Sequence, residues 1–267
     1  MMKIGIIGLG FVGSAIQQSL AKKGQELIVY DKYKNGGVGS LKVCLETEII
    51  FLALPTLYDT TKEEYDKSAL HEVCLFLQEH KYGGTVIIKS TVEPQTTQDL
   101  ETCYGLNLVH NPEFLTARTA FEDFHNQKHI VLGKASQCSD TNYQTIVKFF
   151  QTVFPDAEIS QCTSSESESM KIFVNSFYAT KIQFFNELYL LCQKTNIDYQ
   201  KVKDLMLKNG WINPMHTNVP GPDGKLSYGG ACFPKDTSAL QKYMERQETP
   251  NEVLKAVIKE QKILRSE

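Results

Sequence analysis

The chain has 267 residues, 42% of them hydrophobic and 22% charged, with a formal net charge of −3. That is enough apolar material for a sizeable core in one or two domains, and acids interspersed among the lysines exclude the basic face that a nucleic-acid groove or an anionic membrane surface needs. No stretch approaches the ~20 apolar residues that cross a bilayer, Met1–Gly8 lacks a signal-peptide pattern, and the seven cysteines, odd in number and without a C-x-x-C pair, form neither a disulfide scaffold nor a zinc site. Reduced thiols, a cytoplasmic setting and no bound metal are the expectation.

From the N-terminus, Lys3–Ile7 reads as a strand, Phe11–Lys23 as a helix and Leu27–Tyr30 as a strand. Ile49–Leu54 is a further buried run, followed by a helical pattern over Lys62–His80 and strands at Thr85–Lys89, Leu108–His110 and Ile130–Leu132. Strands alternating with helices predict βαβ units and a parallel, doubly wound α/β sheet covered on both faces. Glu166–Lys194 contains no Gly or Pro and keeps helical spacing, so it predicts a long connecting helix. A second helix over Tyr199–Leu207, a Gly/Pro/Asn-rich loop over Asn209–Gly230, and helices at Lys235–Arg246 and Asn251–Leu264 follow. The expected organisation is a Rossmann-type domain over residues 1–160 and a mainly helical domain over 161–267.

Gly8-Leu9-Gly10-Phe11-Val12-Gly13 closes the first strand and opens the first helix. In that context the first glycine makes the tight turn, the second lets backbone approach a pyrophosphate, and the third lets helix and sheet pack closely. The helix N-terminus offers N–H groups and partial positive charge to phosphates. Asp31, ending the next strand, is placed to accept the adenosine ribose hydroxyls and to repel a 2′-phosphate, so the expected cofactor is NAD. The plain alternative for Asp31 is a solvated turn residue, with Lys32 and Lys34 close by.

Gly229-Gly230-Ala231-Cys232-Phe233-Pro234-Lys235-Asp236 places a cysteine where Pro234 suits a first helical turn. A thiol at a helix N-terminus beside a lysine favours the nucleophilic thiolate. A lone cysteine is more often a small buried hydrophobe, which is the reading of the other six.

This loop resembles the active-site loop of the UDP-glucose/GDP-mannose dehydrogenase family, and other segments match that family in the same order. They are Gly8–Gly13, Leu54-Pro55-Thr56, Lys89-Ser90-Thr91-Val92, Asn111-Pro112-Glu113-Phe114-Leu115, Glu168 with Lys171 and Asn175, and Asn186-Glu187. The resemblance implies two successive NAD-dependent oxidations of a nucleotide sugar, alcohol to aldehyde to acid, with the aldehyde trapped on Cys232 as a thiohemiacetal and then a thioester. It implies catalytic roles for Cys232, Lys171, Asn175, Asp236, Glu113 and Thr91. Cofactor contacts are expected from Gly8, Leu9, Gly10, Phe11, Val12, Gly13, Asp31, Leu54, Pro55, Thr56, Ser90, Thr91, Val92 and Lys235. Substrate contacts are expected from Glu113, Phe114, Leu115, Lys171, Asn175, Tyr228, Gly229 and Gly230. By spacing alone, Lys171 and Asn175 are equally an ordinary polar pair on one helix face.

Three departures from the family pattern stand out. Thr116-Ala117-Arg118 replaces a stretch that carries a second glutamate, and no arginine occurs between Arg118 and Arg246, where the family places one that reaches its partner's substrate. His216 or Lys225 could replace that charge, although an ordinary exposed side chain is the plainer reading of each. The chain also stops at Glu267, before the family's second nucleotide-binding domain, so either a naturally short form or a truncated chain is expected. UDP-glucose is the expected substrate, with GDP-mannose and a UDP-N-acetylhexosamine as alternatives. A 3-hydroxyacid dehydrogenase, which needs no cysteine, and a non-catalytic nucleotide-sugar binder are the competing readings. The apolar face of a helix as long as Glu166–Lys194 predicts a homodimer.

Overall fold

The structure is a computed structural model and describes residues 2–265. In chain order its elements are β1 (Lys3–Ile7), α1 (Phe11–Lys22), β2 (Glu26–Tyr30), β3 (Ile49–Leu52), β4 (Tyr58–Asp59), β5 (Glu64–Tyr65), α2 (Ser68–Glu79), β6 (Thr85–Ile88) and α3 (Thr96–Tyr104). β7 (Asn107–His110), α4 (Ala120–His125), β8 (His129–Lys134), α5 (Asp140–Val153), β9 (Glu158–Thr163), α6 (Ser164–Lys194), α7 (Tyr199–Leu207), α8 (Phe233–Arg246) and α9 (Glu252–Leu264) complete the chain.

Two compact units result: one holds residues up to Leu57 together with Tyr65–Lys171, and the other holds Tyr58–Glu64 and the chain from Ile172 onwards. The first is built on a seven-stranded sheet of order β2-β1-β3-β6-β7-β8-β9. Its central strands are short β-branched runs, and Ile4, Ile6, Ile50, Phe51, Leu52, Val86, Ile87 and Ile88 are all fully buried. Burial of successive residues, which point to opposite faces, is what a parallel sheet sandwiched between helices requires. Phe149 and Phe150 of α5 pack against Phe51 with ring centroids 6.3 and 6.2 Å away.

The sheet departs from the all-parallel expectation at one pair, since β7 and β8 run antiparallel while every other neighbouring pair is parallel. The helix expected over Lys62–His80 begins only at Ser68, because asparagine-like turns built on aspartate interrupt its first part. Asp59 Oδ1 accepts the N–H groups of Thr61 and Lys62, and Asp66 Oδ1 accepts that of Ser68. Such side-chain-to-backbone bonds offer the chain an alternative to helix. Helices α3, α4 and α5 and strand β9 lie in stretches that carried no expectation above.

The second unit packs its helices around small apolar clusters, one of Ala179, Tyr228 and Val257, another of Phe185, Cys192 and Tyr199. The long loop before α8 is tied down by polar contacts. Tyr199 Oη donates to Thr217 O at 2.6 Å, Lys203 Nζ to Asn218 Oδ1 at 2.6 Å, and the Ser227 amide to Asn186 Oδ1 at 2.9 Å.

Candidate active site

In the first unit, the family-like segments that begin at Gly8, Leu54, Lys89 and Asn111 follow the carboxyl ends of β1, β3, β6 and β7, Asp31 follows β2, and Glu168 and Lys171 stand on α6. β1 pairs with β2 on one side and β3 on the other, and such a reversal of strand order opens the crevice where open α/β sheets take ligands. Gly8 has φ of +91°, and a Cβ there would lie 2.5 Å from Ala53 O. A Cβ on Gly13 would lie 1.8 Å from Gly8 O, so only glycine lets α1 pack this close to the turn. A Cβ on Gly10 meets nothing within 4 Å. α1 starts without a side-chain cap and without an acidic residue in its first turn, which leaves its leading N–H groups for an anion. The open space over Gly10 at an uncapped helix start fits a dinucleotide pyrophosphate.

Asp31 binds protein first. Its Oδ2 accepts the Leu9 amide at 2.7 Å, and its Oδ1 accepts the amides of Tyr33 and Lys34 at 2.9 and 2.8 Å. Burial raises its pKa, but those three donors and the Lys34 charge outweigh burial and hold it below the ordinary aspartate value. Lys34 Nζ returns a bond to Leu9 O at 2.8 Å. Asp31 therefore fastens the glycine loop, and only its remaining lone pairs are left for ribose hydroxyls.

The loops after β3 and β6 are stitched together: Ser90 Oγ donates to Leu54 O and Thr56 Oγ1 donates to Thr91 O, both at 2.7 Å. Val92 is fully buried and Thr56 nearly so, so any cofactor contact from Val92 falls to its backbone, not to the side chain. Behind these loops Glu168, also fully buried, accepts the Gln95 and Thr97 amides at 2.7 Å each, joining α6 to the start of α3. Burial pushes its pKa up to about 7 against the pull of those bonds.

Glu113, in the turn after β7, meets Lys171 of α6, with Oε1 3.3 Å from Nζ and Oε2 accepting the Leu115 amide at 2.6 Å. The Lys171 ammonium also lies 5.3 Å from the centre of the Phe114 ring. Glu113, Phe114 and Leu115 share the wall of a cavity of about 590 Å³ with Lys89, Phe124 and His129.

In the second unit, Cys232 is the residue before α8, and its carbonyl accepts the Asp236 amide at 2.9 Å, the first helical bond. Its side chain is exposed, whereas Cys44, Cys74, Cys138 and Cys192 are buried; Cys162 is half-buried and Cys103 is exposed, so the buried reading of the other six fails at Cys103. Burial pushes the Cys74 thiol up to about 12 and those of Cys44 and Cys138 to about 11, away from nucleophilic chemistry. Asp236 is fully buried, accepting Asn175 Nδ2 and Lys235 Nζ at 2.6 Å each. Asn175 and Asp236 are thus brought together. The glycine pair divides differently from expectation. A Cβ on Gly229 would lie 2.5 Å from the Arg265 guanidinium, so that glycine makes room for an arginine, while Gly230, with φ of +78°, faces open space. The Tyr228 side chain belongs to the helical core rather than to an open surface.

Lys89 and Glu168 stand in family-like segments but carried no assigned role in the sequence, and His110 and Arg265 were not singled out. A lysine and a histidine directly ending apolar strand runs were the available signal for Lys89 and His110; nothing local announced Arg265.

Residues 39–153 match the profile of the UDP-glucose/GDP-mannose dehydrogenase family's NAD binding domain, and residues 165–262 that of the same family's central domain. The chain is 28% identical over 286 residues to the UDP-glucose 6-dehydrogenase AglM of Haloferax volcanii, covering 90% of this chain and 64% of that relative. It therefore spans less than two thirds of the archaeal relative's length. A UDP-glucose dehydrogenase structure from Pyrobaculum islandicum superposes with a TM-score of 0.85 at 24% identity, covering 97% of this chain and 67% of that one. A 3-hydroxyisobutyrate dehydrogenase structure from Mycobacterium tuberculosis superposes with a TM-score of 0.76 at 17% identity, covering 97% of this chain and 92% of that one. Both structural likenesses are of fold. With two successive domains of one family matched in order, and with NAD the cofactor that the first implies, the chain belongs to the UDP-glucose/GDP-mannose dehydrogenase family.

Proposed function

We propose that the chain is an NAD-dependent nucleotide-sugar 6-dehydrogenase that converts UDP-glucose to UDP-glucuronate through a covalent intermediate on Cys232. The observation that carries this reading is an exposed cysteine at the start of α8, one turn before a buried carboxylate bonded to Asn175 and Lys235. Buried structural thiols are inert, and an exposed one at a helix N-terminus is the reactive kind.

Bound in the Gly8–Gly13 cradle, NAD supplies the hydride acceptor for both oxidations. The chain's own residues handle protons and carbon. Lys171, in its neutral amine form, takes the hydroxyl proton as the C6 alcohol becomes an aldehyde, and the Glu113 carboxylate beside it stabilises the ammonium that results. The Cys232 thiolate adds to the aldehyde carbon, and its C–S bond holds the intermediate against escape. Oxidation of the thiohemiacetal yields a thioester. Glu113 then removes a proton from water as the oxygen attacks the thioester carbon, which breaks the C–S bond and releases carboxylate and thiol. Asn175 and Asp236 fix the polar setting of α8, and Thr91 belongs to the same proposal as a partner of the water. GDP-mannose and a UDP-N-acetylhexosamine are the alternative substrates. A homodimer through α6 and a reducing cytoplasmic setting complete the reading. Their support is an exposed aromatic row on α6 and seven thiols with no disulfide among the described residues. No helix among the described residues is long and apolar enough to cross a membrane.

Incubation with each sugar nucleotide and NAD tests this reading. Two NADH per sugar oxidised is the expected stoichiometry. One NADH per sugar sinks the thioester route and points to a single-step hydroxyacid-type dehydrogenase. NAD binding without turnover of any sugar nucleotide points to a non-catalytic binder.

A further inference from the structure

Lys89 directly follows β6 and is 3% exposed, yet the reaction outlined above gives it no task. Its Nζ donates to Asn111 Oδ1 at 2.8 Å and to Pro112 O at 3.3 Å. Asn111 is itself anchored, its Nδ2 donating to Val131 O at 2.7 Å. Asn111 and Pro112 are the two residues that lead into Glu113. An ammonium placed here loses its hydration, a penalty that a similarly sized apolar side chain does not incur. We propose that Lys89 is a positioning residue: it clamps the Asn111-Pro112 turn, and its charge keeps the Glu113 carboxylate seated between Lys171 and the Leu115 amide.

The electrostatics of the cluster support this. The charges of Glu113, from the turn after β7, and of Lys171, from α6, act on Lys89, and both lysines act on His110 of β7. Glu122 and Asp123 of α4 and Lys128 and His129 at the start of β8 stand on the shared cavity wall. Burial drives the Lys89 pKa down to about 7; the Glu113 charge opposes that shift and the Lys171 charge adds to it. Burial, with the charges of both lysines, takes His110 down to about 3, so it stays neutral throughout. As pH rises through about 7, Lys89 loses the charge that acts on Glu113.

The clamp rests on the dehydrogenase reading only for its effect on turnover. Its first test uses the whole chain without ligand. The Leu115 amide, which donates to Glu113 at 2.6 Å, reports the carboxylate's position in an NMR pH titration. Its resonance is expected to show an inflection near pH 7 that disappears in Lys89→Met and in Lys89→Arg, which stays charged at every pH tested. A flat resonance in the native chain overturns the clamp. So does an inflection that persists in both variants, since His129 and the other wall residues are retained there. Should Lys89→Met not fold, the native chain and Lys89→Arg decide alone. In turnover, Lys89→Met is expected to lower kcat roughly tenfold with KM for NAD unchanged, and Lys89→Arg to recover most of it; a native kcat in Lys89→Met also overturns the clamp. A native chain that turns over no sugar nucleotide but keeps the inflection sinks the dehydrogenase reading and leaves the clamp standing.

Discussion

Gly10 and Gly13 belong to one motif but answer to different forces, and alanine at each separates them. A Cβ on Gly13 collides with Gly8 O, whereas a Cβ on Gly10 enters open space. Gly13→Ala is expected to lose ~1–3 kcal/mol of stability by overpacking, read as a lowered Tm. Gly10→Ala is expected to keep its stability within ~0.5 kcal/mol, as a substitution away from packed features does, and to lose at least tenfold in NAD affinity by titration calorimetry. If Gly10→Ala binds NAD as the native chain does, the cradle is misplaced. At Cys232 the prediction concerns chemistry: Cys232→Ser should stop after the first oxidation, so that NADH per sugar falls from two to one in a stopped assay. The glycine turn and the helix start at Cys232 were both legible, because each is a local feature. The partners of Asp31 were not, since the sequence leaves open whether a strand-end carboxylate meets a ribose or its own backbone.

Between elements, the polar link from α6 to α3 carries a pH signature. Glu168 holds the two amides that open α3, and burial raises its pKa to about 7. The folded chain therefore retains a proton that the unfolded chain, with an ordinary glutamate, has already released. By linkage this group's contribution is complete below the ordinary glutamate pKa and declines as pH rises through about 7. Glu168→Gln removes that titration and offers one acceptor where two amides need one each. The variant should be less stable by ~1–2 kcal/mol near neutrality, and its Tm should change less with pH from mildly acidic to mildly alkaline buffer; an unchanged pH slope would count against the assignment. The helix itself was visible as a long run free of Gly and Pro. Its use of Glu168 as a buried cap was not, because the amides it holds lie 73 and 71 residues away along the chain.

For the molecule as a whole, the face of α6 matters most. Phe173, Phe177, Phe184 and Leu191 are 51–62% exposed along one helix, a row of large apolar side chains that a lone chain leaves in water. The proposed homodimer covers this row. Phe177→Glu would place a charge in that contact, and sedimentation equilibrium at micromolar concentration should show a monomer where the native chain gives a dimer. A monomeric native chain would remove the dimer from the proposal.

By itself, the sequence determined β1, α1, β2, β3, β6, β7 and β8 of the first unit, the glycine turn at β1, the long α6 and the helix start at Cys232. Each of these follows from periodicity, turn conformation or capping within a few neighbouring residues. Only the tertiary structure decided that β8 runs against β7, that Glu113 meets Lys171, that Asn175 meets Asp236, and that Lys89, His110 and Glu168 are buried. Those outcomes depend on which distant segments exclude water from a charged group and supply its partner, and that is settled by packing of the assembled chain.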